Sequence, residues 1–413
     1  MTDIIVLGAG IVGVCAAIHL QRRGRNVVLV DRRPPGRETS YGNAGIIQRE
    51  GVRPRSFPRD LKELFRIARR QGLDTRYDFS ALPGYAPVLA QYWANSAPQR
   101  YRRIVAEYAP LIAHSVSEHA DLISAAGAEN LIAKGGFLLL FRSERRRDEA
   151  FADAEGDARD YGVGIAELGP AELARLEPAL RLPMVGALHW TQPWTVRDPG
   201  GLVAAYAALF QQLGGTFATG DAMTARASGA GWTVETADGP VVAKDVVVAL
   251  GPWAKAWIGR LGYRLPLFVK RGYHREYVTP AEGVLNRPVL DVDNGYLLAP
   301  MLRGTRLTSG AEFARLDAPK NPSQIEGAEP IARELVPLGE PLDAEPWLGA
   351  RPCTPDMKPV IGRAPNHANV WFAFGHAHHG LTLGAVTGRL VAEMVTGERP
   401  FLETAPFAAE RFG

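Results

Sequence analysis

Three patterns of apolar and polar residues alternate along the chain. Residues 4–7, 26–30, 244–250 and 370–374 are short, almost uninterrupted apolar runs. Such runs fit strands buried on both faces of a parallel sheet. Residues 14–23, 109–127, 203–213 and 385–395 place apolar side chains at helical spacing. In 109–127 the inner face is Leu111, Ile112, Val116, Leu122 and Ile123. Residues 144–161 are densely charged and also read as a helix, and 170–180 as a short one. By contrast, 266–277, 296–300 and 305–310 alternate apolar and polar, which suits an antiparallel sheet covered on one face. The order predicts an α/β chain. Its parallel sheet is assembled from separated segments, and a second sheet is mixed and largely antiparallel.

The first two runs flank Gly8-Ala9-Gly10-Ile11-Val12-Gly13, and Asp31 closes the second. Strand, glycine turn, helix, strand and acid form one dinucleotide-binding unit. Gly8 permits the turn. Gly10 lets a pyrophosphate approach the backbone, and Gly13 lets helix and strand pack closely. The helix N-terminus faces the phosphates. Gly24 ends that helix with a conformation glycine adopts freely. Asp31 stands where a carboxylate accepts from a ribose 2′-OH. Arg32 and Arg33 follow, but Asp31 would repel a 2′-phosphate, so NADP is disfavoured.

Composition narrows the classes. With 413 residues, two to three domains are expected. A net charge of +3 does not point to nucleic acid. Only Cys15 and Cys353 are present, so no disulfide framework is expected, which suits a reducing cytosol. Met1 leads directly into the first strand, and no leader is expected ahead of it. No run reaches the roughly 18–20 apolar residues of a spanning helix. The expectation is a cytoplasmic chain, with peripheral contact at the inner membrane left open. That opening comes from 49–76, where Arg53, Arg55, Arg59, Lys62, Arg66, Arg69, Arg70 and Arg76 accompany Leu61, Leu64, Phe65 and Ala68 on one helical face. The stretch fits either a helix lying on an anionic bilayer or an ordinary solvated one. Residues 78–93 are apolar and broken by prolines, lining an entrance or simply packing. Trp190 and Trp194 are a pocket wall or a core edge.

Two further stretches carry chemistry. Residues 38–47 hold Thr39, Ser40, Asn43, Ala44, Gly45 and Ile46 in a small, hydroxyl-rich loop able to wrap a polar ligand. Residues 347–362 read WxGxRPxTPDxxPxIG and precede the strand 370–374. The loop Gly375-His376-Ala377-His378-His379-Gly380-Leu381-Thr382 follows it. The three histidines lack companion carboxylates or cysteines at ligand spacing, so no metal is expected. A guanidinium at Arg351, followed by proline, can clamp a carboxylate with two parallel hydrogen bonds.

The fingerprint, its acid, the 39–45 loop and the 347–384 segment resemble the FAD-dependent D-amino-acid dehydrogenases. The likeness extends to the wider glycine oxidase, sarcosine oxidase and D-amino-acid oxidase group. It runs over nearly the whole chain and is strongest in 4–50 and 345–395. It implies a discontinuous Rossmann-like FAD-binding domain (1–56, 196–264, 344–413) and a substrate domain (57–195, 265–343). FAD is implied at Gly8, Gly10, Ile11, Val12, Gly13, Asp31, Arg32, Thr39, Ser40, Asn43, Ala44, Gly45 and Ile46. Met223, through its backbone at the adenine, Gly251, Gly375, His379, Gly380, Leu381 and Thr382 complete that set. The helix starting at 380–383 would favour negative charge developing on the flavin ring. Arg351 would hold the substrate carboxylate, Tyr296 would assist, and His378 either views the pocket or faces solvent. The flavin-linking cysteine of sarcosine oxidase-like proteins falls nearer Gly349 than Cys353, so FAD is expected to be non-covalent. Their cationic lysine is missing, since 306–310 carries Thr308 and Ser309, which favours a dehydrogenase. The implied reaction oxidises the Cα–N bond of a small D- or secondary amino acid by hydride transfer to flavin N5. Electrons pass to a quinone, a protein or O₂. An O₂-using oxidase, the amine-oxidising subunit of a heteromeric opine or hydroxyproline oxidase, and a flavin-binding subunit without turnover are the alternatives. The oligomeric state is left open.

Overall fold

A computed structural model describes residues 2–60, 64–66, 69, 72–229 and 231–413. Its first sheet has eight strands. Thr2–Leu7 lies between Val27–Asp31 and Gly239–Val248, parallel to both. Thr216–Thr219 extends it on one side and His367–Phe374 pairs parallel to Gly239–Val248. Segments far apart in sequence therefore share one sheet. The cause is legible in Ile5, Val6, Leu7, Leu29, Val30, Val247 and Val248, all buried on both faces.

Two helices cover one face of that sheet. Ile11–Arg22 and Gly380–Thr396 pack side by side. Contact is close because the Cβ position of Gly388 falls 2.5 Å from the Cys15 carbonyl carbon. The opposite face buries Trp232, Trp257, Val360 and Phe372.

The second sheet has ten strands and is mostly antiparallel. Its centre is Phe268–Tyr277, paired with Thr305–Thr308 and with Trp347–Cys353. Two pairings are parallel: Val289–Asp291 on Phe137–Phe141, and Ala311–Phe313 on Thr75–Tyr77. The helix Ser323–Leu335 buries Ile325, Ala328, Ala332 and Leu335 on one face of it. The other face turns toward the first sheet, and a cavity of about 1000 Å³ lies between.

Local departures from expectation have physical causes. The apolar stretch after Asp78 forms the helix Leu82–Asn95 in spite of its prolines. Pro83 falls in the first turn, where a missing N–H costs nothing. The single helix expected over 109–127 is two, Pro98–Ala113 and Ser115–Ala125, separated at His114. In the basic stretch, Leu61, Lys62, Ala68 and Arg70 lie outside the described residues. Phe65 is exposed, with the Arg69 guanidinium 4.2 Å above its ring. Among the described residues, no helix is long and apolar enough to cross a membrane.

Candidate active site

The cavity begins at the glycine turn. Gly8 has φ +103°, and a Cβ there would meet the Ala249 carbonyl oxygen at 2.5 Å. Gly13 does not line the cavity; it sits behind, where a Cβ would fall 1.8 Å from the Gly8 oxygen. It thus lets the helix start close to the turn. The helix Ile11–Arg22 has Gly10 as its N-cap and no side-chain cap. Ile11 N–H donates to Ser40 Oγ at 3.0 Å, while the amides of Val12 and Gly13 belong to the unpaired first turn. Asp31 accepts from Ala9 N–H at 2.7 Å and from Arg33 N–H at 3.1 Å, which fixes its carboxylate at the cavity edge. Arg32 lies 4.8 Å above the Trp253 ring, beside Gly251 and Met223, which also line the cavity. The Met223 amide is held by Asp221 and its carbonyl by Arg260, so both backbone groups already have partners.

Thr39, Ser40, Asn43, Ala44 and Ile46 carry the lining onward. Gly45 does not reach it. With φ +76°, it turns the chain against Val196, whose N–H donates to its carbonyl at 2.6 Å. At the far end, His376, His378, His379, Gly380 and Leu381 line the cavity, whereas Gly375 and Thr382 lie behind it. The Thr382 hydroxyl accepts from Gln48 N–H at 3.1 Å, pinning the last helix to the 46–48 strand end. That helix also has no side-chain cap at its N-terminus, so unpaired amides of its first turn meet the cavity.

An uncapped helix start at each end, a glycine turn without room for a Cβ, and an acid at a strand end fit one extended dinucleotide. Residues of both sheets enclose it, and the cavity has room for a small second ligand beside it.

Arg351 stands in the wall of this cavity, on the strand Trp347–Cys353. Its Nη1 donates only to backbone carbonyls, of Gly310 at 3.2 Å and Arg271 at 3.4 Å. Among the described residues, no carboxylate pairs with it. Burial pulls its pKa below the ordinary range. The guanidinium lies over Gly272, where a Cβ would come within 2.5 Å of it.

His378 faces the same space, its ring centre 3.8 Å from that of His379. Burial, then the neighbouring His379, Arg55, Lys270 and Arg351, hold its imidazole neutral. His379 is fixed by the Tyr108 hydroxyl, 2.7 Å from Nδ1, and His376 by Thr387 at 2.9 Å. Burial lowers both imidazoles to about 3.

The structure does not bring Tyr296 to this cavity. The residue is 1% exposed and packed in the core beneath the second sheet. Side chains alternate along a strand, and here Leu297 takes the cavity side. Trp190 does line the cavity, whereas Trp194 does not.

The sequence reading gave no role to the lining residues Lys270, Glu50 and Trp347. Lys270 donates to the Tyr92 hydroxyl at 3.0 Å. Glu50 is 7% exposed; burial raises its carboxyl to about 7, and Gln48 donates to it at 2.7 Å. Trp347 covers Gly42 and stacks on His274, ring centres 4.9 Å apart. The available signal for Lys270 was a charge inside a strand that is otherwise buried on that face.

A dinucleotide cradle joined to a pocket with an unpaired guanidinium fits an oxidoreductase that binds a dinucleotide cofactor. The chain belongs to the FAD dependent oxidoreductase family, which matches residues 3–394. It is 32% identical to a D-amino acid dehydrogenase of Cereibacter sphaeroides over 99% of this chain and 95% of that one. It is 30% identical to a D-amino-acid oxidase of Bradyrhizobium diazoefficiens, covering 99% and 98%. Among solved structures, glycine oxidase from Geobacillus kaustophilus superposes with a TM-score of 0.76 at 22% identity, over 98% of both chains. The protein is an FAD-dependent enzyme that oxidises amino acids.

Proposed function

We propose that the enzyme dehydrogenates a small D-amino acid, or a secondary one of proline type, at its Cα–N bond. The observation that carries this reading is Arg351, a half-buried guanidinium facing the pocket with only carbonyls for partners. A bound substrate carboxylate supplies the anion it lacks, in a bidentate geometry that fixes the position of Cα. When bound, FAD would supply the acceptor for the hydride leaving Cα. The cradle at Gly8, Gly10, Ile11 and Val12, the acid Asp31 and the 39–46 loop hold the cofactor, without a covalent bond at Cys353. The unpaired amides at Gly380 and Leu381 favour negative charge at the end of the cavity they face. His378, kept neutral, walls the pocket without competing for the substrate carboxylate. No side chain is required as a base if the substrate amine enters neutral, and the imino product hydrolyses in water unless it is cyclic.

Anaerobic mixing with D-, L- and N-alkyl amino acids tests this reading. Bleaching of the oxidised flavin band by D- or secondary amino acids is expected. A flavin that no amino acid bleaches overturns it. The relative named D-amino-acid oxidase supports a second reading, in which O₂ takes the electrons. Slow return of colour in air marks a dehydrogenase, and rapid return an oxidase.

A further inference from the structure

Lys270 and Arg351 are direct partners across the antiparallel pair formed by Phe268–Tyr277 and Trp347–Cys353. Residues so paired project from the same face of the sheet, with Cβ atoms about 4.5–5.5 Å apart. Both side chains line the cavity. Two cations facing each other in one half-buried wall repel. Among the described residues, no carboxylate pairs with either one. The acids that line the cavity are occupied elsewhere: Asp31 with Ala9, Glu38 with Arg33, Asp74 with Arg66, Asp221 with the Met223 amide and Asp293 with Arg146. Glu50 is bound to Gln48.

Lys270 is nonetheless held firmly. Its ammonium lies 4.5 Å from the centre of the Tyr92 ring and 5.1 Å from that of Phe313. It donates to the Tyr92 hydroxyl, whose own proton goes to the Arg55 carbonyl at 2.7 Å. Two of its three N–H groups are left for the cavity. A cation fixed in place, with donors free and a second cation beside it, is a site for an anion.

We propose that the pocket selects an amino acid bearing a second carboxylate, Arg351 taking one carboxylate and Lys270 the other. The inference rests on the proposed amino-acid dehydrogenation and names the substrate class within it. Its pH dependence follows from the groups facing Lys270: Cys353 and Arg351 from the paired strand, Arg55 from the 51–60 segment, His378 from the loop before the last helix, and Tyr92 from the helix Leu82–Asn95, its hydroxyl kept protonated by burial. Burial lowers the Lys270 amine to about 8; Cys353 counters this slightly, and Arg55 and Arg351 add to it. Near neutrality the amine is charged and binds the second carboxylate. Above about pH 8 it loses its proton and the selectivity with it.

Titration of the flavin absorption of the FAD-loaded enzyme with acetate and propionate, and with malonate and succinate, tests the proposal. At pH 7 the dicarboxylates are expected to bind at least about tenfold tighter, one strong charge-assisted pair being worth that factor. The advantage shrinks between pH 8 and 9. Lys270→Met removes it and moves monocarboxylate affinity less than about threefold. Lys270→Arg keeps it, and keeps it above pH 8, because a guanidinium stays charged. Flavin content and the thermal midpoint check that both variants fold. Equal binding of mono- and dicarboxylates by the wild type overturns the proposal. So does a Lys270→Met variant that weakens both classes alike, the mark of a structural lysine. If amino acids still bleach the flavin in either case, the dehydrogenation reading stands without this one. If no carboxylate perturbs the flavin and no amino acid bleaches it, the dehydrogenation reading falls, and this proposal with it.

Discussion

Replacing Arg351 by methionine separates a ligand-binding guanidinium from a structural one, because the two roles move stability in opposite directions. The side chain donates to two carbonyls, at 3.2 and 3.4 Å, at or beyond the long end of ordinary N–H···O bonds. These are weak compensation for burying a charge, which costs several kcal/mol when no counter-ion is present. Methionine fills much of the same volume without a charge. The ligand-free fold should therefore gain between about 0 and 2 kcal/mol. With an unfolding entropy of about 2.1 cal/mol/K per residue over 413 residues, each kcal/mol moves the midpoint by only about 1 °C. The thermal midpoint is thus expected to hold or to rise by up to about 2 °C. Substrate binding moves far more. Truncating one partner of a buried, hydrogen-bonded charge pair costs about 2–5 kcal/mol, a loss of about 30- to several-thousandfold in affinity. The assay is calorimetry of the substrate-free enzyme alongside anaerobic flavin reduction across a substrate series. A midpoint lowered by several degrees with substrate affinity unchanged would refute the reasoning.

Other outcomes follow from the same geometry. Gly272→Ala places a Cβ within 2.5 Å of the Arg351 guanidinium and must displace it; a roughly tenfold weaker substrate affinity, about 1.4 kcal/mol, is expected with flavin content unchanged. Gly13→Ala puts a Cβ 1.8 Å from the Gly8 oxygen, so the helix start must move off the turn. A cost of about 1–3 kcal/mol and loss of flavin on gel filtration are expected, and an alanine variant that stays yellow contradicts the role given to the turn. His19, His376 and His379 are pushed by burial to about 3, and His119 to about 4, from the usual 6.5. They are neutral in the fold, while the unfolded chain takes up protons below about pH 6.5. Their contribution is therefore present above pH 6.5 and lost as pH falls toward 4, by up to about 1.4 kcal/mol per group and pH unit. Thermal midpoints at pH 7.5, 6.5, 5.5 and 4.5 should fall steeply below 6.5, and a level profile excludes this account. Acid precipitation should leave the flavin in the supernatant, and a yellow pellet would point to a covalent bond at Cys353.

The dinucleotide half of the site was written locally. Gly8, Gly10, Gly13 and Asp31 lie within one strand–helix–strand unit, where turn geometry and helix polarity act over a few residues. Spacing alone therefore marked the unit for a dinucleotide, and the family resemblance made that dinucleotide FAD. The 347–362 pattern likewise placed Arg351 at the pocket without coordinates. Parity and partnership were different matters. Tyr296 and Leu297 are equally plausible neighbours in sequence, and only the register of the second sheet turned Leu297 to the cavity and Tyr296 to the core. A slip of one residue would exchange them. Lys270 was invisible for a related reason. Its significance lies in facing Arg351 across a strand pair and in the ring of Tyr92, from a helix far earlier in the chain. The unpaired state of both cations is a property of everything packed around them. The sequence by itself determined the cofactor and the family, and singled out Arg351, which stands in the cavity wall. The tertiary structure decided which side chains share its pocket, because pairing register and burial act between segments whose spacing along the chain carries no record of their distance in space.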